Sequence, residues 1–148
     1  MDQFTRRIVG FGVRSGIVDG ATLCQMFPRA IRGQTTPNYL STDNDPLYRF
    51  PQWQANLRVL EVAEIKTVPY VPLSHPFVER LIGTVRRECL DRTLFWTATD
   101  LERKLLDFQH YYNEHRTHAG CQGQPPLTGG NAGRSRANLG SYRWQKHC

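Results

Sequence analysis

Apolar positions change their spacing several times along the chain, and each change marks a predicted element. Phe4 to Val13 (FTRRIVGFGV) is rich in β-formers and reads as a strand, its two glycines allowing close packing against a neighbour. Only three residues precede it, so a hairpin partner upstream of Met1 is expected. Leu23, Met26, Phe27, Ala30 and Ile31 recur at helical spacing, which predicts a helix from about Gly20 to Ile31. Asp19 is its N-cap, Pro28 should kink or shorten it, and Gly33 stops it. Asn38 to Thr42 is a short strand ending at Asp43, followed by a turn at Asp45-Pro46. Phe50 to Leu60 is a helix presenting Trp53, Leu57 and Leu60, and Glu64 to Val71 a further strand, with Pro69 and Pro72 toward an edge or loop. Ser74 or His75 caps a helix with Pro76 in its first turn, running to about Leu90 with Val78, Leu81, Ile82, Val85 and Cys89 as its buried stripe. Thr99 or Asp100 caps the last helix, to about Arg116, with Leu101, Leu105, Phe108 and Tyr112 inward. From His118 onward Gly, Pro, Asn and Ser dominate and periodicity is lost, so loop and partial disorder are expected. The order strand, helix, strand, helix, strand, helix, helix is an α/β layer architecture.

Composition narrows the class. At 148 residues, 39 % hydrophobic and 22 % charged, the chain is a single soluble globular domain, with no apolar run approaching the roughly eighteen residues of a membrane span. No secretory signal is read at the N-terminus. The formal charge of +6 suits a polyanionic partner. After Glu114 there is no acidic residue, while Arg116, Arg134, Arg136, Arg143 and Lys146 follow; this basic tail is either a solvated surface or a phosphate-contacting one. Cys24, Cys89, Cys121 and Cys148 are scattered, which reads as reduced thiols in a cytoplasmic protein. His115, His118 and Cys121 invite a zinc reading, but no fourth ligand stands at usual spacing and the adjoining glycines suggest a loop.

The stretch from Ser41 to Asp91 carries the candidate chemistry. Asp43 stands at the carboxyl end of a strand, where open α/β sheets usually bind ligands. Glu79 falls in a helix first turn, beside the positive end of the helix dipole. Hard cations such as Mg²⁺ bind through one or two carboxylates and keep several waters. Phosphoryl transfer on DNA commonly uses two such ions about 3.5–4 Å apart, held by acids from different elements. Arg86 or Arg87, about two turns on, could hold the DNA backbone. The plain alternative is that Asp43 caps a turn through its side chain and Glu79 is an ordinary first-turn residue.

The combination of residues is more specific than either acid alone. Thr42-Asp43-Asn44 is followed, with 35 residues between the acids, by Glu79 in His-Pro-Phe-Val-Glu-Arg-Leu-Ile-Gly-Thr-Val-Arg-Arg-Glu-Cys-Leu-Asp. With Tyr111-Tyr112-Asn113-Glu114-His115-Arg116, this resembles the integrase core of insertion-sequence transposases and retroviral integrases, over roughly residues 2–116. The resemblance implies a ribonuclease-H-like mixed sheet flanked by helices, here lacking the first strand. Residues 1–117 would be a partial integrase catalytic core and 118–148 a basic, loop-rich C-terminal tail. It implies a site of Asp, Asp and Glu that binds two Mg²⁺ or Mn²⁺ ions, cuts DNA at element ends and joins the 3′-hydroxyl to target DNA, in a family that works as homo-oligomers. Asp43 resembles the second acid and Glu79 the third, as catalytic and metal-binding residues. Arg86 matches a position where such enzymes often carry a basic residue near DNA, with Arg87 and Arg80 beside it. The first acid would fall upstream of Met1, because Asp2 to Arg7 resembles the start of the second strand. Asp2 is the only acid nearby and belongs to the wrong strand. No N-terminal zinc-binding or helix-turn-helix domain is read. The expectation is a truncated, inactive catalytic core from a mobile element, with a non-catalytic nucleic-acid-binding remnant and a structural protein as alternatives.

Overall fold

The computed structural model describes residues 1–67, 76–118, 123 and 125–126. Helix α1 (Gly20–Ala30) begins as predicted, with the Asp19 carboxylate accepting the Thr22 N–H at 2.7 Å. That bond satisfies one of the amides a helix start leaves orphaned. Pro28 lies inside α1, where it can give no N–H to the Cys24 carbonyl, and the helix ends two residues later at Ala30.

Strands β1 (Tyr39–Thr42) and β2 (Ala63–Lys66) pair in parallel, Tyr39 opposite Ala63 and Thr42 opposite Lys66. Parallel strands require a crossover. Here it is a 3₁₀ turn (Pro46–Arg49) followed by helix α2 (Pro51–Val59), which opens on a proline at its first position. Trp53 and Leu57 of α2 and Val62 are buried, and Leu23, Cys24, Phe27, Leu40 and Tyr48 close around them. Phe27 meets Trp53 edge-on at 5.3 Å between ring centroids. The far end of the strand expected over Glu64–Val71 falls outside the described residues, as do Ser74 and His75.

Helix α3 (Pro76–Glu88) and helix α4 (Ala98–Glu114) build a second cluster. Leu81, Val85 and Cys89 face Leu105, Phe108 and Tyr112, with Ile8 between them. Two expectations are corrected here. Ile82 is 62 % exposed, because the stripe of α3 follows the 81–85–89 row and leaves 82 on its flank. The cap of α4 is Thr97, whose hydroxyl accepts the Asp100 N–H at 3.1 Å, while the Asp100 carboxylate reaches back to the Trp96 N–H.

The segment predicted as a first strand forms no ladder among the described residues. Its backbone is held by helix α4 instead. The buried Asn113 accepts the Ile8 N–H at 2.9 Å and donates to the Ile8 carbonyl at 3.0 Å. Gln109 donates to the carbonyls of Ile8 and Val9. On the other side the segment lies against α1. A Cβ added to Gly10 would stand 1.9 Å from the Ala30 carbonyl oxygen, and one on Gly12 would strike Met26. The glycines admit this approach, as the sequence suggested, but the neighbour is a helix. Ile8 on one face and Gly10 on the other thereby join the two clusters.

Candidate active site

Asp43 stands exposed immediately after β1. Its Oδ1 accepts the Asp45 N–H at 3.0 Å, and Asp45 Oδ1 in turn accepts the Leu47 N–H at 2.8 Å, launching the 3₁₀ turn. Asn44 donates to the Thr67 carbonyl, and the Thr67 N–H donates to the Thr42 carbonyl, so both flanks of Asp43 are tied to the end of β2. The turn-capping role weighed for Asp43 is therefore present. It engages one carboxylate oxygen by a single backbone amide and leaves the side chain facing solvent.

Beneath Asp43 lies a polar network whose members the hydropathy pattern could not single out. The Thr42 hydroxyl donates to Glu64 Oε1 at 2.7 Å, Gln54 donates to Glu64 Oε2 at 2.7 Å, and Lys66 stands 3.9 Å from Oε2. Burial opposes the Glu64 charge, but the bonds from Gln54 and Thr42 and the Lys66 ammonium outweigh it and hold its pKa below the usual range. Tyr48 is raised, first by burial and then by the charges of Asp43, Asp45 and Glu64. Three carboxylates thus act on one phenol at the end of β1. The i, i+2 spacing of Asp43 and Asp45 is the signal of this cluster that the sequence carries.

Glu79 is exposed in the first turn of α3, as predicted. Arg80, Arg86 and Arg87 are exposed on the same helix. Glu79, Ile82, Gly83 and Arg86 share one face, so Glu79 and Arg86 are about 10.5 Å apart along the axis. Asp43 belongs to the Trp53 half of the molecule and Glu79 to the Ile8 half. Residues 68–75, which link the two halves in sequence, are outside the described set. Among the described residues no group of three or more His, Cys, Asp and Glu side chains is arranged to hold a metal ion. Asp43 and Glu79 each carry carboxylate oxygens of the right chemistry for a hard cation.

Asp2 is committed elsewhere. Its carboxylate accepts the Phe4 N–H at 2.9 Å and the Thr5 hydroxyl, closing a tight N-terminal turn. Of the residues that invite a zinc reading, His115 and His118 are described and Cys121 is not; the His118 ring meets Tyr112 at 4.6 Å between centroids, tilted by 58°. Cys24 and Cys89 are free thiols among the described residues. No helix among them is long and apolar enough to cross a membrane.

Comparison with known proteins agrees with this arrangement. The fold is similar to that of a chain in the simian T-cell lymphotropic virus intasome in complex with PP2A regulatory subunit B56 gamma. That match has TM-score 0.64 and 19 % identity, and covers 81 % of this chain and 43 % of that one. The fold is also similar to the catalytic core domain of BIV integrase, with TM-score 0.58 and 18 % identity over 77 % of this chain and 72 % of that one. The chain has a ribonuclease-H-like fold. Residues 61–126 match the model of the integrase core domain family. Glu79, Arg80, Arg86, Arg87, Asn113 and Arg116 fall inside the matched residues, whereas Asp43 precedes them. Two curated relatives belong to insertion elements. An uncharacterized 39.2 kDa protein of IS476 from Xanthomonas euvesicatoria is 28 % identical over 126 residues, 85 % of this chain and 36 % of its own length. An uncharacterized 31.7 kDa protein of IS407 from Burkholderia multivorans is 28 % identical over 123 residues, 80 % of this chain and 43 % of its own length. The chain thus spans about two-fifths of the length of these relatives.

Proposed function

We propose that this chain is the core portion of a DNA strand-transfer protein, in which Asp43 and Glu79 supply two carboxylates of a Mg²⁺- or Mn²⁺-binding site. The observation that carries the reading is the position of Glu79. It is exposed in the first turn of α3, inside the integrase-matched residues, with Arg80, Arg86 and Arg87 exposed on the same helix. Asp43 follows β1 in a strand-end turn and keeps one carboxylate oxygen clear of that turn's hydrogen bond. A bound divalent ion would supply charge neutralisation at the scissile phosphate. The residues' own work is to hold that ion from a strand end and a helix start, and to fix the DNA backbone through the arginines of α3. A homo-oligomer acting on DNA is part of the same reading.

The 148-residue polypeptide offers these two acids, and Asp2 is bound into its own turn. It is therefore expected to bind duplex DNA with affinity that falls steeply with salt, and to nick supercoiled DNA in Mn²⁺ weakly or not at all. A gel-shift titration and a nicking assay test this. Robust cutting abolished by Glu79→Gln would overturn the inactivity, and absent or salt-insensitive binding would overturn the DNA reading. The incomplete metal set among the described residues favours one second reading, a DNA-binding remnant without chemistry. It predicts the same gel shift with no Mn²⁺ stabilisation.

A further inference from the structure

A recess of about 550 Å³ opens where α3 and α4 end, lined by Glu88, Arg92, Tyr111, His115, Arg116 and Thr117. We infer that it is a second phosphate-binding site, separate from the Asp43 and Glu79 positions. Glu88 is nine residues beyond Glu79 on α3, which places it about 13.5 Å along the axis and half a turn around the helix.

The chemistry of the lining is donor-rich. Its one carboxylate, Glu88, is occupied on both oxygens by Arg116, through Nε at 3.0 Å and Nη2 at 2.8 Å. This fork locks the guanidinium in place and leaves it with further N–H groups, one set near His118 Nδ1 at 3.5 Å. Arg92 is exposed, and among the described residues it acts on Glu88 through its charge. Hydroxyls of Tyr111 and Thr117 and the imidazole of His115 complete the rim. The groups opposing an anion can be counted. Glu114 faces His110 at 3.7 Å and His115 at 3.9 Å. Each helix end contributes about half a negative charge. Arg87, Arg92 and Arg116 all act on Glu88, so three guanidiniums stand against the two carboxylates Glu88 and Glu114 and the two helix ends. A tetrahedral oxyanion with several acceptor oxygens matches the donors that line the recess, whose one carboxylate is already taken up by Arg116.

The phosphate can come from a nucleic-acid backbone or from free phosphate. The first source rests on the DNA reading above, with the recess gripping the backbone away from the scissile position. Duplex binding is measured by fluorescence anisotropy across a salt series for the native chain, Arg92→Gln and Thr117→Val, and thermal stability is measured with added inorganic phosphate. If the source is the backbone, Arg92→Gln weakens binding several-fold and flattens the log–log salt slope by about 0.9, one phosphate contact. If it is free phosphate, inorganic phosphate raises the melting temperature of the native chain and not of Arg92→Gln. Either result supports the site, and Thr117→Val weakens the same readout to a smaller degree. An unchanged salt slope together with an unchanged phosphate response in Arg92→Gln overturns it. That failure leaves the metal reading intact, because Mn²⁺ stabilisation and its loss in Asp43→Asn are read separately.

Discussion

Asn113 fastens the Ile8 segment to helix α4. It is 5 % exposed and satisfies both backbone groups of Ile8, 105 residues away in sequence. Replacing it with alanine orphans the Ile8 N–H, while Gln109 still donates to the Ile8 carbonyl. One unsatisfied buried donor costs about 1–3 kcal/mol. Asn113→Ala is therefore expected to lower unfolding stability by about 2 kcal/mol, read as a shift in the urea midpoint with an unchanged slope. Asn113 lies in the Tyr-Tyr-Asn-Glu-His-Arg run that carried part of the family resemblance. The sequence marked the run as distinctive without indicating its task. No local rule says that an amide on a helix will stand in for a neighbouring strand.

At the scale of elements, periodicity made the helices legible and left their edges open. The 101–105–108–112 stripe of α4 is the observed one, because a helix this long has little choice of buried face. The sequence reads as capped at Thr99 or Asp100, and the hydrogen bond from the Asp100 N–H places the cap at Thr97 instead. Phe4–Val13 was misjudged because β-propensity measures fit to a half-buried surface, which a pair of helices can also provide. The ends of α3 and α4 are joined by the Glu88–Arg116 fork. The Arg116 hydrogen bonds hold the Glu88 pKa below the usual range against some desolvation. A carboxylate with a depressed folded pKa stabilises the fold above its unfolded pKa, about 4.3, and loses that stabilisation as pH falls through the folded value. Both side chains are about 30 % exposed, so solvent screening keeps the contribution to about 1 kcal/mol. Glu88→Gln is expected to lower the melting temperature at pH 7 and to narrow the gap from the native chain as the pH drops below about 4. Thermal melts across that range check it; a gap independent of pH would contradict it.

Over the whole molecule, two clusters meet along the Ile8–Gly12 segment. The Trp53 cluster carries β1, β2 and Asp43; the Ile8 cluster carries α3 and Glu79. Strand-then-acid and first-turn acid were both legible from spacing, and both acids are exposed where those patterns put them. The Glu64 network and the grip of Asn113 were not, because each depends on pairings between elements far apart in the chain. The central claim is that Asp43 and Glu79 share one cation. The most direct measurement is the Mn²⁺-induced rise in melting temperature for the native chain, Asp43→Asn, Glu79→Gln and the double variant. Binding to the folded state alone stabilises it by RT ln(1 + [Mn²⁺]/Kd), about 2.7 kcal/mol at a hundredfold excess over Kd. The account predicts that millimolar Mn²⁺ raises the native melting temperature, that each single substitution removes nearly all of the rise, and that the double variant loses no more. No rise in the native chain, or two single losses that simply add in the double variant, would mean that the acids do not share an ion.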